Sequence, residues 1–525
     1  MSFDYDVIIV GGGHNSLVAA NYLRLAGKTV LVLENQPVFG GAAVSAESFP
    51  GIPARLSRYS YLVSLFPRQI MDDLAMTVEL RRRRYSSYTP VPGDTTGLLI
   101  DAQDPEATRE SFVRIGAADD YPRWVEFYQL TESLAQAVFP QLVEPMITRA
   151  EMRSLVASHT GSDSAWHHLI ETPIDHTIAE WFSSDVVKGV VLTDGLIGTF
   201  PGGPGDDAVS KCFLYHVIGQ GTGDWDVPVG GMGQVTGSLT QLARRRGVDL
   251  KHSADVEAID PDGSVRWVED GVTHLATASV IIAGCSPAEL DRLVGQAKPS
   301  STPVEGAQVK VNLVVSRLPK LLDDRVSAEA AFGGTFHINE TWTQLETARM
   351  QAEAGNIPDP VPAEIYCHSL TDPSILDPSL QDSGVHTLTV FALHTPHRLI
   401  AGKPADEARE DLQGRVLASL NSVLAEPIED LLLPTPDGGV CVETKTTIDL
   451  ENTLRLPGGN IFHAPLDWPF LDGDRPSSTA PGRWGVATDY AKVLIGGSGA
   501  SRGGGVSGIG GHNAAMAALE MLDSL

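Results

Sequence analysis

The chain has 525 residues, of which 38 are Lys or Arg and 66 are Asp or Glu, giving a formal net charge of −28. That charge argues against a nucleic-acid partner, which needs a cationic face, and an anionic membrane surface would repel the chain as well. Hydrophobic residues make up 42% and charged residues 20%, the balance of a folded globular protein, and two domains are expected at this length.

The N-terminus carries Asp4 and Asp6 where an export signal would be basic, and no apolar run approaches the roughly 20 residues of a spanning helix. A cytoplasmic protein without a transmembrane segment is therefore expected. Cys212, Cys285, Cys367 and Cys441 lie far apart, so there is no C-x-x-C redox pair and no zinc-ligand spacing. Free, buried thiols and no metal site are expected. Glycine stands out at 52 residues, about 10% against a usual value near 7%, and the glycines cluster.

Residues 5–10 form a short run rich in β-branched side chains that stops at Gly11, Gly12 and Gly13. This predicts a buried parallel strand entering a tight turn. Leu17, Val18, Ala20, Tyr22, Leu23 and Leu25 then recur at helical spacing up to Gly27, a helix stop. A second apolar strand over 29–33 ends at Glu34. Strand, glycine turn, helix and strand in about thirty residues are the context of a dinucleotide fingerprint. Gly11 makes the turn, Gly13 lets a pyrophosphate approach the backbone, and the helix N-terminus offers free N–H groups to the anion. Glu34, with Asn35 beside it, stands where a carboxylate can accept both ribose hydroxyls. Ser16 replaces the third glycine, at a position that serves helix-to-strand packing and still accepts a small residue. His14 and Asn15 are expected as turn and phosphate contacts.

Gly40 and Gly41, followed by Ala42 and Ala43, bring the backbone back towards the cofactor. This second glycine pair resembles FAD binding in the glutathione reductase and amine oxidase superfamily. Further along, a helix over 235–246 precedes short strands over 255–259, 264–269 and 272–276. These are separated by the hairpin dipeptides Asp262-Gly263 and Asp270-Gly271, and an apolar strand over 279–283 then ends at Gly284. Strands over 308–315 and 385–393 and a helix over 407–424 are expected next. The segment 491–495 reads as a strand stopping at Gly496, Gly497, Ser498 and Gly499. Gly503, Gly504 and Gly505 lead through Val506 and Ser507 into a helix over about 511–522. The run Arg81, Arg82, Arg83, Arg84 is expected as a solvated strand face, with an anionic-substrate role as the alternative.

Residues 11–43, 48–70 with the core Leu56, Ser57, Arg58, Tyr59, Ser60, Tyr61, then 215–219, 228–233, 458–463 and 496–515 resemble the phytoene desaturase-related FAD-dependent oxidoreductases. Within these the chain is similar to the branch named pyridine nucleotide-disulfide oxidoreductase domain-containing protein 2. The likeness covers nearly the whole chain and implies an α/β fold. A Rossmann-like FAD-binding domain of the superfamily type would come from 1–75, 222–300 and 455–525. A discontinuous mixed α+β substrate domain would come from 76–221 and 301–454. The cofactor implied is non-covalent FAD, held by Gly11, Gly13, His14, Asn15, Ser16, Glu34, Asn35, Gly40, Gly41 and Ala42. Val256 would meet the adenine through its backbone, although a core valine is equally consistent. Gly284, Gly497, Ser498, Gly505 and Val506 complete the set, with the second glycine-led helix under the pyrimidine end of the flavin.

Gly231 and Gly233 are expected in a loop lining the flavin. Residues 224–228 before them read as no buried strand and contain Pro228, which leaves no second nucleotide site for NAD(P)H. The reaction implied is hydride transfer to flavin from an apolar substrate of polyene or long-chain type, with oxygen or a quinone as acceptor. An amine oxidase-like reaction is disfavoured, because Ala42 and Ala43 stand where amine oxidases carry an arginine. A redox-silent FAD protein, an isomerase or an assembly factor, stays open. Lys310 alternates away from Val309, Val311, Leu313 and Val315. It resembles the lysine that amine oxidases place at flavin N5, or it reaches solvent from a sheet edge. His216 and His337 are acid or base candidates, or satisfied structural histidines. Substrate identity and oligomeric state are not legible.

Overall fold

The computed structural model describes residues 3–296, 305–473 and 478–524. Two seven-stranded sheets organise the chain. In the first, the strand Tyr5–Val10 runs parallel between Val30–Leu33 and the end of Val272–Ala283. Val493–Ile495 and Asp249–Lys251 extend it on the two sides, also in parallel. Val7, Ile8, Ile9, Val280, Ile281 and Ile282 are fully buried, as expected for parallel strands covered on both faces. The helix His14–Leu25 packs against Gly233–Arg245 and Ile509–Asp523. It begins three residues before the periodic apolar positions, directly at the glycine turn.

One expected boundary is absent. The last strand of the meander and the parallel strand after it are a single strand, Val272–Ala283, which pairs antiparallel with Ser264–Glu269 in its first half and parallel with Tyr5–Val10 in its second. The cause is local. The Asp4 carboxylate accepts from both the N–H and the hydroxyl of Thr277, each at 2.9 Å, and holds extended the small and polar residues that suggested a break.

The second sheet has the order Val442–Lys445, Val309–Val315, His386–Ala392, Ala363–Tyr366, Thr335–Ile338, Tyr85–Pro90 and Gly97–Asp101. Val309–Val315 is an interior strand, paired on both sides and buried at every position, so Lys310 does not reach solvent from an edge. The helix Ala405–Asn421 covers this sheet near Val309–Val315. Helices between Pro105 and Val217 fill the space beside it, among them Asp185–Thr193 and Asp207–Val217.

A second correction concerns 224–228. Asp226–Pro228 is a short buried strand that pairs antiparallel with Leu80–Arg82. Pro228 is tolerated because it is the last residue of a two-stranded edge element. The arginine run is only partly a solvated face: Arg82 and Arg84 are exposed and pair with Asp224, Asp226 and Asp101, whereas Arg83 turns inward. Among the described residues, no helix is long and apolar enough to cross a membrane.

Candidate functional site

The strand Tyr5–Val10 delivers the chain to Gly11, whose φ of +92° suits glycine. Gly13 caps the following helix, and no side chain caps it, so the N–H groups of the first turn are left for an anion. The second glycine pair crosses the first: Gly40 N–H donates to the Gly12 carbonyl at 2.9 Å. At Gly41, where φ is +58°, a Cβ would stand 3.1 Å from the Gly13 Cα. Glu34, buried at the end of its strand, accepts from the N–H of Gly12 at 2.7 Å and of Gln36 at 2.8 Å. Burial raises its pKa against the lowering effect of those N–H groups. The Ser16 hydroxyl fills the space left by Gly284, where a Cβ would lie 2.1 Å from Ser16 Oγ. A small residue at 284 thus compensates for the missing third glycine.

These turns open on one cleft enclosing about 1730 Å³ of empty space, its mouth included. Gly11, Gly13, His14, Asn15, Ser16, Glu34, Asn35, Gly41 and Ala42 line it, together with Val256, Gly284, Gly497, Ser498, Gly505 and Val506. Gly40 lies just behind, bridged to Gly13. Gly231 and Gly233 do not line it. Gly233 N–H donates to Ser45 Oγ at 2.9 Å, and a Cβ at Gly231 would meet that same oxygen at 2.8 Å. These glycines let their loop pack on the hairpin of Ser45–Glu47 and Arg55–Ser57 instead.

Several lining residues carried no motif in the sequence. Arg455 pairs with Asp255 at 2.9 Å and Glu289 at 3.3 Å, at the Glu34 end of the cleft. His14 bonds the Gly505 carbonyl through Nε2 at 3.1 Å, so the two glycine-led helix starts meet. Burial pulls the pKa of His14 and of His463 down to about 4, so both rings are neutral near pH 7. Each also has a buried Nδ1 without a partner.

Lys310 is 4% exposed and is not on the cleft wall. Its Nζ donates to the carbonyls of Ser57 at 2.6 Å and Ser60 at 2.9 Å, and so braces the segment that carries Tyr59 and Tyr61 into the cleft. Burial lowers its pKa to about 7; Glu443 opposes that shift and Arg58 adds to it.

Beyond Tyr61 the cleft continues into a second cavity of about 1320 Å³, its opening to solvent included. Tyr61, Leu62, Ile197, His216 and Trp225 line both spaces and form the neck between them. Tyr61 and Trp225 are nearly parallel, 6.2 Å apart, and His216 stacks on Trp225 at 5.2 Å. His216 Nδ1 lies 3.0 Å from the Cys212 carbonyl, which makes Nδ1 the donor and leaves the lone pair on Nε2. Burial lowers its pKa to about 4. His337 lies in the second cavity, remote from the glycine turns, with Arg83, Asp194, Glu364 and Tyr366.

Residues 9–73 match the family described as NAD(P)-binding Rossmann-like domain. Rv0897c, an uncharacterized protein of Mycobacterium tuberculosis (strain ATCC 25618 / H37Rv), is 49% identical over 530 residues, 99% of this chain and 98% of that one. Pyridine nucleotide-disulfide oxidoreductase domain-containing protein 2 of Mus musculus is 29% identical over 584 residues, 99% of this chain and 94% of that one. Among solved structures, cyclohexylamine oxidase from Brevibacterium oxydans IH-35A superposes with a TM-score of 0.55 at 16% identity, covering 99% of both chains, which is a likeness of fold. The chain thus belongs to one family with the mycobacterial protein, is homologous along nearly its whole length to pyridine nucleotide-disulfide oxidoreductase domain-containing protein 2, and is built on the Rossmann-like fold shared with amine oxidases.

Proposed function

We propose that the protein is an FAD-dependent oxidoreductase that removes hydride from a small-molecule substrate held at the neck between the two cavities. The observation that carries this reading is the convergence of both glycine turns, Glu34 and the second glycine-led helix start on one cleft. The residues present fit the dinucleotide. A Cβ at Gly13 would meet nothing within 4 Å, so there is open space at the helix N-terminus, and the unpartnered Nδ1 atoms of His14 and His463 sit on the same wall. FAD, when bound, supplies the hydride acceptor.

The chain's own groups do the rest. With the dinucleotide bound, Glu34 would accept from the ribose hydroxyls, and the first turn of His14–Leu25 would hold the pyrophosphate. The start of Ile509–Asp523 offers the positive end of a helix to negative charge at the far end. Tyr61 and Trp225 orient the substrate, Leu62 and Ile197 exclude water, and His216 Nε2 is placed to take a proton at the neck. Attachment is non-covalent: Cys285, the cysteine on the cleft wall, has its thiol pushed up to about 12 by burial and is a poor nucleophile near neutral pH. Residues 1–75, 222–300 and 455–525 form the cofactor domain in this reading, and 76–221 with 301–454 form the substrate domain.

The substrate is an apolar molecule of polyene or long-chain type, and oxygen or a quinone takes the electrons. Amine oxidation is the second reading, favoured by the parallel aromatic faces of Tyr61 and Trp225, which suit a cation. The test is the purified protein itself. A yellow chromophore released by acid or heat, yielding AMP with phosphodiesterase, and bleached anaerobically by an apolar alkene or alkane in preference to an amine, is the expected outcome. A colourless, folded protein would end the FAD reading.

A further inference from the structure

A feature of the second cavity is independent of the flavin reading. His337 and Glu364 stand directly opposite each other on the antiparallel strands Thr335–Ile338 and Ala363–Tyr366, so both side chains share one face. Asn339, at φ +56°, turns the chain at the end of its strand, and Glu340 folds back so that its Oε2 lies 2.7 Å from His337 Nδ1. The helix Asp185–Thr193 presses on this turn, since a Cβ at Gly189 would stand 1.9 Å from the Glu340 carbonyl oxygen. Glu364 Oε1 lies 3.9 Å from the same His337 nitrogen. One ligand atom from each of the three residues falls within 4.8 Å of the other two.

Two observations point to a cation site. Glu340 is 1% exposed, and its Oε1 has no hydrogen-bond partner. Among the described residues, no lysine or arginine lies within ion-pair distance of Glu340 or Glu364; His337 pairs with both, and Glu364 Oε2 also accepts from the Tyr366 hydroxyl, with Arg83 attracting it from farther off. Buried carboxylates are ordinarily paired or coordinate a metal. Ligands about 2.1 Å from one metal ion lie at most about 4.2 Å apart; the two His337–carboxylate distances fall within that limit, the shorter as a hydrogen bond that a metal would replace, and the Glu340–Glu364 separation is bounded at 4.8 Å.

We infer that His337, Glu340 and Glu364 bind one divalent first-row transition-metal ion. One imidazole with two carboxylates suits manganese, iron or zinc better than magnesium or calcium. Three protein ligands with His337 and Glu364 on the cavity wall leave an open position for water or a substrate oxygen, the pattern of a reactive site and not of a closed structural one. His337 then serves as a ligand, and its role as a free acid or base falls away.

The experiment uses the untagged full chain with its native cofactor content, stripped by chelator and titrated with MnCl2 followed by electron paramagnetic resonance, and with ZnCl2 in competition. The expected result is one Mn2+ per chain, displaced by Zn2+, with Glu340→Gln and Glu364→Gln each weakening binding by about a hundredfold or more. Visible absorbance and melting temperature report whether the variants fold. Wild-type protein that binds neither ion below about 1 mM, a limit that needs no variant, overturns the site. Folded variants that bind as tightly as wild type overturn it equally.

Discussion

Glu34 uses both carboxylate oxygens on backbone N–H groups, those of Gly12 and Gln36, while still facing the cleft. Its removal therefore takes away the proposed ribose ligand and leaves two N–H groups unpaired. Glu34→Ala is expected to weaken FAD binding by about 1.5 to 3 kcal/mol, the usual loss for hydrogen bonds to a charged group, and to lower the melting temperature as well. Flavin fluorescence during reconstitution of the apoprotein measures the first effect, and an unchanged affinity would remove Glu34 from the ribose. Lys310 acts at one remove, as a positioning residue. Because its Nζ is bound to the Ser57 and Ser60 carbonyls, Lys310→Met is expected to loosen FAD and destabilise the fold together. A variant slowed only in its reoxidation by oxygen, with FAD affinity intact, would place the ammonium at the flavin instead. The pH dependence has a definite sign. Burial lowers the folded-state pKa from 10.5 to about 7. Between these values the unfolded chain holds more protons than the folded one, and stability due to this group rises with pH. The difference in melting temperature, wild type minus Lys310→Met, should grow from about pH 7 to about pH 10. Differential scanning fluorimetry of the two proteins across that range is the check.

At the scale of elements, one tight junction lies between the first helix and the end of the long strand, where Ser16 meets Gly284. Gly284→Ala would put a methyl group 2.1 Å from Ser16 Oγ, and overpacking of this kind destabilises by about 1 to 3 kcal/mol. Adding Ser16→Gly should recover part of that loss in urea unfolding. The recovery is only partial because the new methyl group also lies 3.0 Å from the Val10 carbonyl oxygen. A double variant no better than Gly284→Ala would show that the two positions are uncoupled. This pair also shows what the sequence makes legible. Ser16 was recognisable as a departure because it falls inside a motif of fixed spacing, whereas its compensation at 284 needs the fold. The parallel strands were legible because full burial demands uninterrupted β-branched runs. The continuity of Val272–Ala283 was not, since it depends on Asp4 meeting Thr277 across more than half the chain. Gly231 and Gly233 resembled a cofactor loop, and their real partner, Ser45, has no marker in the sequence. The second cavity was illegible for the same reason: Arg83, Asp194, His337 and Glu364 come from separate segments, and strand pairing together with the packing of the helix Asp185–Thr193 brings them together.

For the molecule as a whole, the described residues hold one crossed pair of glycine turns at a strand-to-helix junction; Gly497, Gly504 and Gly505 line the same cleft, and the loop at Gly231 and Gly233 packs on a hairpin. NADH and NADPH are therefore expected to reduce the flavin slowly. Anaerobic stopped-flow absorbance tests this, and rapid bleaching by either nucleotide would require a pyrophosphate cradle elsewhere. The cleft also draws on residues separated by most of the chain. The first helix rests on Ile509–Asp523 so closely that a Cβ at Gly511 would stand 1.8 Å from the Asn15 carbonyl oxygen, and His14 bonds the Gly505 carbonyl. Translation at about 5 to 20 residues per second separates the two helices by tens of seconds. Throughout that interval the nascent chain carries its nucleotide turn without the floor that completes it. Cofactor capture is thus expected among the last events of biosynthesis, and chains stalled on the ribosome before Val493–Ile495 emerges should hold no flavin while their upstream strands wait exposed to chaperones.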